Sequence, residues 1–195
     1  MRKLKLEMQV SADGFAATHE GGTDWMVWAW GPDWGWDEAL RRHHVELNTS
    51  TDCVLLSRKM AEEGFHAHWA QVSEPADPQY AFASAITRAR KIVFSTTLTD
   101  CPWPRTELAK GDLKEVVQDL KRAPGKDILA YGGPTFASAL VDAGLVDEMH
   151  IFVNPTFLGT GRPMFGGLTQ PRAMRLVDAK AFACGVTVQR YALPA

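Results

Sequence analysis

Short apolar runs and helical spacings alternate along most of the chain. Leu4, Leu6 and Met8 alternate with charged residues in KLKLEMQV, which predicts a first strand that ends at the Asp-Gly turn signal of SADGF. CVLL, KIVF and DILAY predict further buried strands, each followed by a polar or glycine turn and a helix. Strands that alternate with helices in this way are typical of βαβ units and a largely parallel sheet.

The last quarter of the chain breaks this rhythm. EMHIFVNP, MRLVDAKAF and VTVQRYAL predict strands with no room for helices between them, so we expect these three to pair antiparallel at an edge of the sheet. No internal repeat or long linker divides the sequence. The predicted fold is one α/β domain over residues 1–195, a three-layer αβα sandwich whose mixed, mostly parallel sheet ends in C-terminal antiparallel strands.

Composition narrows the class of protein. The chain has 46% hydrophobic and 23% charged residues, which is typical of a soluble globular domain, and its formal net charge of -2 disfavours nucleic acid as a partner. MRKLKLEMQV lacks the apolar core of a secretory signal, and no apolar run approaches a membrane span. We therefore expect a cytoplasmic protein without a membrane partner. Its three widely spaced cysteines indicate reduced thiols rather than a zinc site.

A tryptophan-rich segment, from Thr18 to Trp36, lies between the first strand and the helix that follows Asp37. Its five indoles show no clear periodicity, which predicts a folded loop. Trp25 and Trp28 could form a wall on which a flat pterin or pyrimidine stacks, because aromatic faces supply burial and offset stacking. Core packing or a dimer contact would explain them equally well.

Three predicted strands end in residues that could bind a ligand. After CVLL, Ser57 can cap the next helix, and Arg58 and Lys59 place two cations at the positive end of that helix, where an anion would compensate them. After KIVF, hydroxyl groups are supplied by Ser95, Thr96 and Thr97. The alternatives are a solvated basic turn in the first case and ordinary turn residues in the second.

The third strand end has two glycines. Gly132 and Gly133 would let a ligand lie against the backbone, and Pro134 suits the first position of a helix, but a close strand-to-helix turn would explain them equally well. Because parallel strands end at one edge of the sheet, the three segments together favour a long phosphorylated ligand such as a dinucleotide. The two cations favour NADP over NAD, although both standard nucleotide fingerprints are absent.

With these residues identified, the chain resembles the dihydrofolate reductase-like family, in the branch of the reductase domain of riboflavin biosynthesis. The resemblance rests on SADGFAA, LLSRKMAEEGF, KIVFSTTL and the long segment DILAYGGPTFASALVDAGLVDEMHIFVNPTFLGTGRPMF, which occur in the family's order over nearly the whole chain. It implies an NADPH-dependent reductase, commonly homodimeric. The zinc motifs of the associated deaminase are absent, and Ser57 stands where the family usually has glycine.

The resemblance also implies roles for particular residues. The 2′-phosphate and pyrophosphate of NADPH would meet Ser57, Arg58, Lys59 and Met60. The adenosine end would border Ser95, Thr96, Thr97 and Leu98, and the pyrophosphate would also be held by Gly132, Gly133, Pro134, Thr135 and Phe136. Asp13 and Gly14 would lie near the nicotinamide and the substrate.

Catalytic and substrate-binding residues are less sharply indicated. Asp13 could supply a proton or a polar anchor, or form an ordinary Asp-Gly turn. The resemblance to dihydrofolate reductases implies that Asp37, at the start of the helix after the first loop, supports substrate protonation, but it could equally cap that helix. Arg162 is the cation that would select a phosphorylated substrate. His66 and His68 have no partner at metal-ligand spacing, so no metal is expected.

The sequence therefore predicts an NADPH-dependent reductase acting on a C=N or C=O group of a small molecule, with 5-amino-6-(5-phosphoribosylamino)uracil as the substrate that the resemblance implies. Reduction of a pterin such as dihydrofolate, and non-catalytic NADPH binding, are the alternatives.

Overall fold

The computed structural model describes residues 1–28 and 35–194. Its strands are β1 (Leu4–Ser11), β2 (Phe15–Ala17), β3 (Thr51–Ser57), β4 (Arg90–Phe94), β5 (Thr106–Leu108), β6 (Asp127–Tyr131), β7 (Glu148–Asn154), β8 (Arg162–Pro163), β9 (Arg175–Ala181) and β10 (Thr187–Ala192). Its helices are α1 (Glu38–Thr49), α2 (Arg58–Glu62), α3 (Phe65–Gln71), α4 (Tyr80–Arg88), α5 (Leu113–Arg122) and α6 (Pro134–Asp142).

Eight strands form one sheet in the order β5-β4-β3-β6-β1-β7-β10-β9, and β2 pairs with β8 in a small second sheet. The pairs from β5 to β7 are parallel, whereas β10 is antiparallel to both β7 and β9. The predicted mixed, mostly parallel sheet is confirmed.

The predicted position of EMHIFVNP is wrong in one respect. This segment forms β7, which pairs parallel to β1 over seven residues and lies inside the sheet rather than at its edge. The reason is α6, which carries the chain from β6 over β1, so that β7 enters the sheet in the same direction as β6. Only β10 and β9 form the antiparallel edge.

Both faces of the sheet are covered by helices. Leu6 and Leu55 pack with α5 and α6 on one face, while Leu56 and Val54 pack with α1, α3 and α4 on the other. Alternate residues of the central strands thus enter two separate apolar cores, as expected for a parallel sheet with helices on both sides. The predicted three-layer αβα sandwich is confirmed.

Several tryptophans belong to the core on the α1 side. Trp36 is fully buried and stacks on Phe152 with ring centroids 5.5 Å apart. Trp28 stacks on Trp69 at 5.9 Å. Core packing therefore accounts for Trp28 better than a substrate wall does. Trp30 and Trp34 lie outside the described residues.

A buried polar network supports the end of β6. The Tyr131 hydroxyl lies 2.9 Å from Glu7 Oε2 and 2.9 Å from Asn48 Oδ1, and His44 Nε2 lies 3.1 Å from Glu7 Oε1. Burial, and then the Glu7 charge, raise the pKa of Tyr131 well above its usual value, so the hydroxyl keeps its proton. The network joins β1, β6 and α1 immediately before Gly132.

Replacing Tyr131 by Phe is expected to lower the free energy of unfolding by about 1 kcal/mol, because buried Glu7 and Asn48 lose a donor. Urea denaturation measures the loss. Tyr191→Phe is the matched control: its hydroxyl lies 3.0 Å from Gln189 Oε1 on a half-buried side chain that water can reach, so a smaller change is expected. Equal losses for the two variants would contradict a special role for the buried network.

Candidate functional site

The three predicted ligand-binding segments follow adjacent strands. Ser57 pairs with Phe94 in the β3–β4 register, and Leu56 pairs with Tyr131 in the β3–β6 register. Residues 57–60, 95–98 and 132–136 consequently leave the sheet side by side at its carboxyl edge. Ligands in open α/β sheets bind at this edge.

The two glycines after β6 have different physical explanations. A Cβ atom on Gly132 would lie 2.7 Å from Phe136 Cδ1, so packing of the Phe136 ring requires a glycine there. A Cβ atom on Gly133 would meet nothing within 4 Å, and its φ of -72° is open to any residue. Nothing within the described protein therefore requires glycine at 133, whereas a ligand lying against the backbone would.

The first turn of α6 is open to a ligand as well. Its N-cap, Gly133, has no side chain to cap the helix, and Pro134 occupies the first turn. Free N–H groups at a helix N-terminus bind phosphate groups readily. Phe136 packs on Phe94, with ring centroids 5.5 Å apart, and its N–H donates to the Gly133 carbonyl oxygen at 3.1 Å. Because Pro134 has no N–H, Thr135 is the residue of this turn whose N–H could meet a phosphate.

At the end of β3, the structure supplies counter-charges for the two cations. Arg58 Nη1 lies 2.7 Å from Glu62 Oε2, and Lys59 Nζ lies 3.4 Å from Glu63 Oε1. An anion is therefore not needed to compensate them. Exposed pairs of this kind contribute only about 0–1 kcal/mol, so a phosphate could displace the carboxylates. Ser57 caps α2 by accepting from the Met60 N–H at 3.3 Å.

The end of β4 forms a hydroxyl-stabilised turn. Ser95 Oγ accepts hydrogen bonds from the N–H groups of Thr97 and Leu98, at 3.1 and 3.0 Å. Thr96 and Thr97 are exposed, while Leu98 and Met60 are partly buried against the core on the α1 side. The turn role anticipated for Ser95 is confirmed, and the exposed threonines remain accessible.

A cavity of about 860 Å³ adjoins this edge, between α6 and the segment that contains β8. Thr135 and Arg162 both line it, so the structure brings a predicted cofactor residue and a predicted substrate residue to one space. Arg162 Nε also donates to the His19 carbonyl oxygen at 3.1 Å, which ties the cavity wall to the start of the tryptophan-rich segment.

Ser138 is a lining residue that the sequence did not reveal. The residue is 3% exposed, and its hydroxyl has no hydrogen-bond partner within residues 1–28 and 35–194. A serine inside TFASALV looks like a small packing residue. The one available signal is its spacing of four from Pro134, which places both on the same face of α6.

Asp13 holds two loops together. Its carboxylate accepts from Ser11 Oγ at 2.6 Å and from the N–H groups of Gly159 at 2.7 Å and Leu158 at 3.2 Å. The hydrogen bond from Ser11, followed by those from the backbone, lowers the pKa of Asp13. The carboxylate thus stays ionised at neutral pH, which favours the anchor role over that of proton donor. Gly14, with φ of +88°, completes the turn after β1.

Asp37 also makes structural contacts with both oxygens. Oδ1 accepts from the Leu40 N–H at 3.0 Å and caps α1, while Oδ2 accepts from the Cys184 N–H at 2.9 Å. These bonds, that from Cys184 first, lower the pKa of Asp37. The geometry favours the N-cap interpretation over a catalytic one. Trp25 is half-buried, and its indole N–H donates to the Gly22 carbonyl oxygen at 3.2 Å.

The His66 and His68 pair lies on α3, and His66 stacks on Trp103 with ring centroids 5.5 Å apart. The histidines, cysteines and carboxylates of the described residues form no group of three suited to a metal ion. Burial first, and then the Lys91 charge, lower the pKa of His66 to about 4.

His66 makes stability depend on pH. In the unfolded chain its pKa is near 6.5, so between pH 6.5 and 4 the unfolded state binds the extra proton and stability falls as pH falls. We expect the free energy of unfolding of His66→Phe to fall less than that of the wild type as pH is lowered, by on the order of 1 to 2 kcal/mol. Urea denaturation at pH 7 and pH 4.5 tests it, with exposed His19→Gln as control. An unchanged pH dependence in His66→Phe would refute it.

The sheet order and the two helical layers are those of the dihydrofolate reductase-like fold. A model of the RibD C-terminal domain family matches residues 2–188, and the chain belongs to that family. Within residues 1–28 and 35–194, no helix combines the length and hydropathy needed to cross a bilayer.

Relatives and solved structures agree with this assignment. The chain is 28% identical to the uncharacterised protein YyaP of Bacillus subtilis, over 95% of this chain and 92% of that protein. It is 26% identical to the riboflavin biosynthesis protein RibD of Escherichia coli, over 92% of this chain but 54% of RibD.

Two solved structures show the same fold. The deaminase and 5-amino-6-(5-phosphoribosylamino)uracil reductase of Thermotoga maritima has a TM-score of 0.69 at 17% identity, over 99% of this chain and 57% of that one. A pyrimidine reductase-like protein of Corynebacterium diphtheriae has a TM-score of 0.66 at 16% identity, over 100% of this chain and 92% of that one.

Proposed function

We propose that this protein is an NADPH-dependent reductase of a small heterocyclic or ribosylamino compound. The observation that carries the proposal is Gly133, because the described protein leaves open the space that a side chain there would fill. Membership of the RibD C-terminal domain family supports the reductase class. When bound, NADPH supplies the hydride, and the protein supplies binding and orientation.

In this proposal the cofactor lies across the carboxyl edge of β4, β3 and β6. Thr96 and Thr97 border the adenosine end, and Arg58 and Lys59 bind the 2′-phosphate after exchanging their Glu62 and Glu63 partners for it. Gly133 and the open first turn of α6 receive the pyrophosphate.

The reacting end of the cofactor then points toward the end of β1. The Asp13 anchor holds the segment at 158–159 against this strand end, and Arg162 places one cation on the cavity wall. A phosphorylated substrate such as 5-amino-6-(5-phosphoribosylamino)uracil would use that cation. Because Asp13 and Asp37 are both held as carboxylates, we propose that the proton comes from water rather than from either residue.

We propose a homodimer as the working form of the enzyme. β9 is one of the two edge strands of the main sheet, and Leu176 and Val177 on it are 52% and 39% exposed. An edge strand with exposed apolar side chains is suited to pairing with a second copy. A cytoplasmic location stays a prediction.

Titration with NADPH and NADH, followed by tryptophan fluorescence, tests the cofactor. We expect NADPH to bind at least about tenfold more tightly, since the 2′-phosphate adds charge-assisted hydrogen bonds. Equal affinity, or no binding, would refute the proposal. NADPH oxidation with the phosphoribosylamino uracil and with dihydrofolate then separates the two substrate classes. Tight NADPH binding without oxidation by any acceptor would favour a non-catalytic binding protein.

A further inference from the structure

A second cavity, of about 470 Å³, lies at the opposite edge of the sheet, around the amino ends of β3 and β4 and the residues before β6. It is separated from the proposed cofactor site by the length of the strands. The charged residues that line it are Arg2, Asp52, Arg88, Arg90, Arg105 and Lys126.

Positive charge is in excess at this cavity, although the whole chain carries -2. Arg2 is paired with Asp52, and Arg90 makes two hydrogen bonds of 2.8 Å to Glu107. Five cations and these two carboxylates leave an excess of three positive charges. Uncompensated like charges around one space repel each other.

Two of the cations at this cavity are explained by the C-terminal ends of nearby helices. Arg88 is the last residue of α4, and Lys126 Nζ donates to the Thr49 carbonyl oxygen at the end of α1, at 3.0 Å. Cations at helix C-termini are stabilising without any ligand. This explanation does not extend to Arg105, which lies on the loop between β4 and β5.

Arg105 has a strained backbone. Its φ is +54°, and it is the one non-glycine residue in the left-handed region among those that the structure describes. Its carbonyl oxygen accepts from the Lys91 N–H at 2.8 Å, which joins this loop to the start of β4. Residues held in this conformation cost about 1 kcal/mol or more and cluster at functional sites. Burial first, and then the Arg105 charge, lower the pKa of Lys91 to about 8.

We call this cavity at the amino edge the basic cavity. We propose that it binds a small, multiply charged anion of the diphosphate class. Three excess charges match such an anion, and the volume exceeds what one phosphate group fills. Arg88 and Arg105, whose guanidinium groups make no ion pair within the described residues, are the groups that would bind it. The site is independent of the NADPH site.

Pyrophosphate is the probe. We expect it to bind to wild-type protein both with and without saturating NADPH, measured by calorimetry at constant ionic strength, with a dissociation constant of about 1 mM or below. Arg88→Gln together with Arg105→Gln should weaken binding at least about tenfold. The matched control is Lys114→Gln with Lys180→Gln, which removes two exposed cations outside the basic cavity and should leave pyrophosphate affinity unchanged.

Three outcomes would overturn the proposal: no heat or thermal shift beyond that of sodium chloride, binding that survives Arg88→Gln with Arg105→Gln, or binding that NADPH abolishes. Should the double variant fold poorly by circular dichroism, Arg88→Gln alone, at an exposed helix end, gives the same comparison. A failure of NADPH binding would leave the pyrophosphate result interpretable, because the two sites are tested with different ligands.

Discussion

Replacing Gly133 by Val is expected to weaken NADPH binding about 100-fold or more while changing the free energy of unfolding by no more than about 1 kcal/mol. A Cβ atom at this position would meet no atom of residues 1–28 and 35–194 within 4 Å, and φ of -72° suits any residue, so we expect the fold to tolerate the change. The new methyl groups would occupy the space proposed for the pyrophosphate. Calorimetric titration and urea denaturation measure the two quantities on one preparation.

Gly144, beyond the other end of α6, provides the matched control. A Cβ atom there also meets nothing within 4 Å, but its φ of +67° strains any other residue. Gly144→Ala should lower stability by about 1 kcal/mol and leave NADPH affinity unchanged. The two glycines thus separate a requirement of the ligand from a requirement of the backbone. Wild-type NADPH affinity in Gly133→Val would contradict the proposed position of the pyrophosphate.

Replacing both Arg58 and Lys59 by Ala should weaken NADPH by about 1.5 to 3 kcal/mol and leave NADH nearly unchanged. The reason is that only NADPH carries the 2′-phosphate, and both side chains are exposed, so little stability depends on them. Fluorescence titration with each cofactor measures the difference. Equal losses for NADPH and NADH would mean that the pair does not distinguish the two cofactors.

Removing a carboxylate that pairs with one of these cations should change NADPH affinity in the opposite direction. Glu62 lies 2.7 Å from Arg58 and competes with any phosphate for its guanidinium. Glu62→Gln should therefore tighten NADPH binding about two- to threefold without affecting NADH. Glu46→Gln, on the exposed side of α1, is the control for a general loss of negative charge. Weaker NADPH binding in Glu62→Gln would show that the ion pair positions Arg58 instead of competing for it.

Local patterns were sufficient to predict the main strands and helices of the sheet, but not the short elements β2, β5, β8 and α3. Alternation in KLKLEMQV and the strand–turn–helix order depend on residues close together in sequence, and both appear in the structure as β1 and as the parallel half of the sheet. The ligand-binding segments could be proposed because their residue types follow strand ends directly. Whether they bind NADPH stays a prediction.

Contacts between distant residues could not be predicted in this way. Asp13 accepts hydrogen bonds from the N–H groups of Leu158 and Gly159, and Asp37 accepts one from the N–H group of Cys184. In each case the two partners are more than 140 positions apart in the sequence. No periodicity encodes such pairs, so the sequence left both a catalytic and a structural role open for each carboxylate. Their geometry favours structural roles instead.

The sequence by itself determined the fold class, the order of the main strands and helices, and the residue types available at the carboxyl edge, because each depends on local spacing and polarity. Only the tertiary structure decided that β7 lies inside the sheet, that Gly132 is required by Phe136, and that Gly133 faces open space. The physical reason is that crossover geometry and side-chain packing depend on which residues meet after the chain has folded, and two identical glycines differ only in those neighbours.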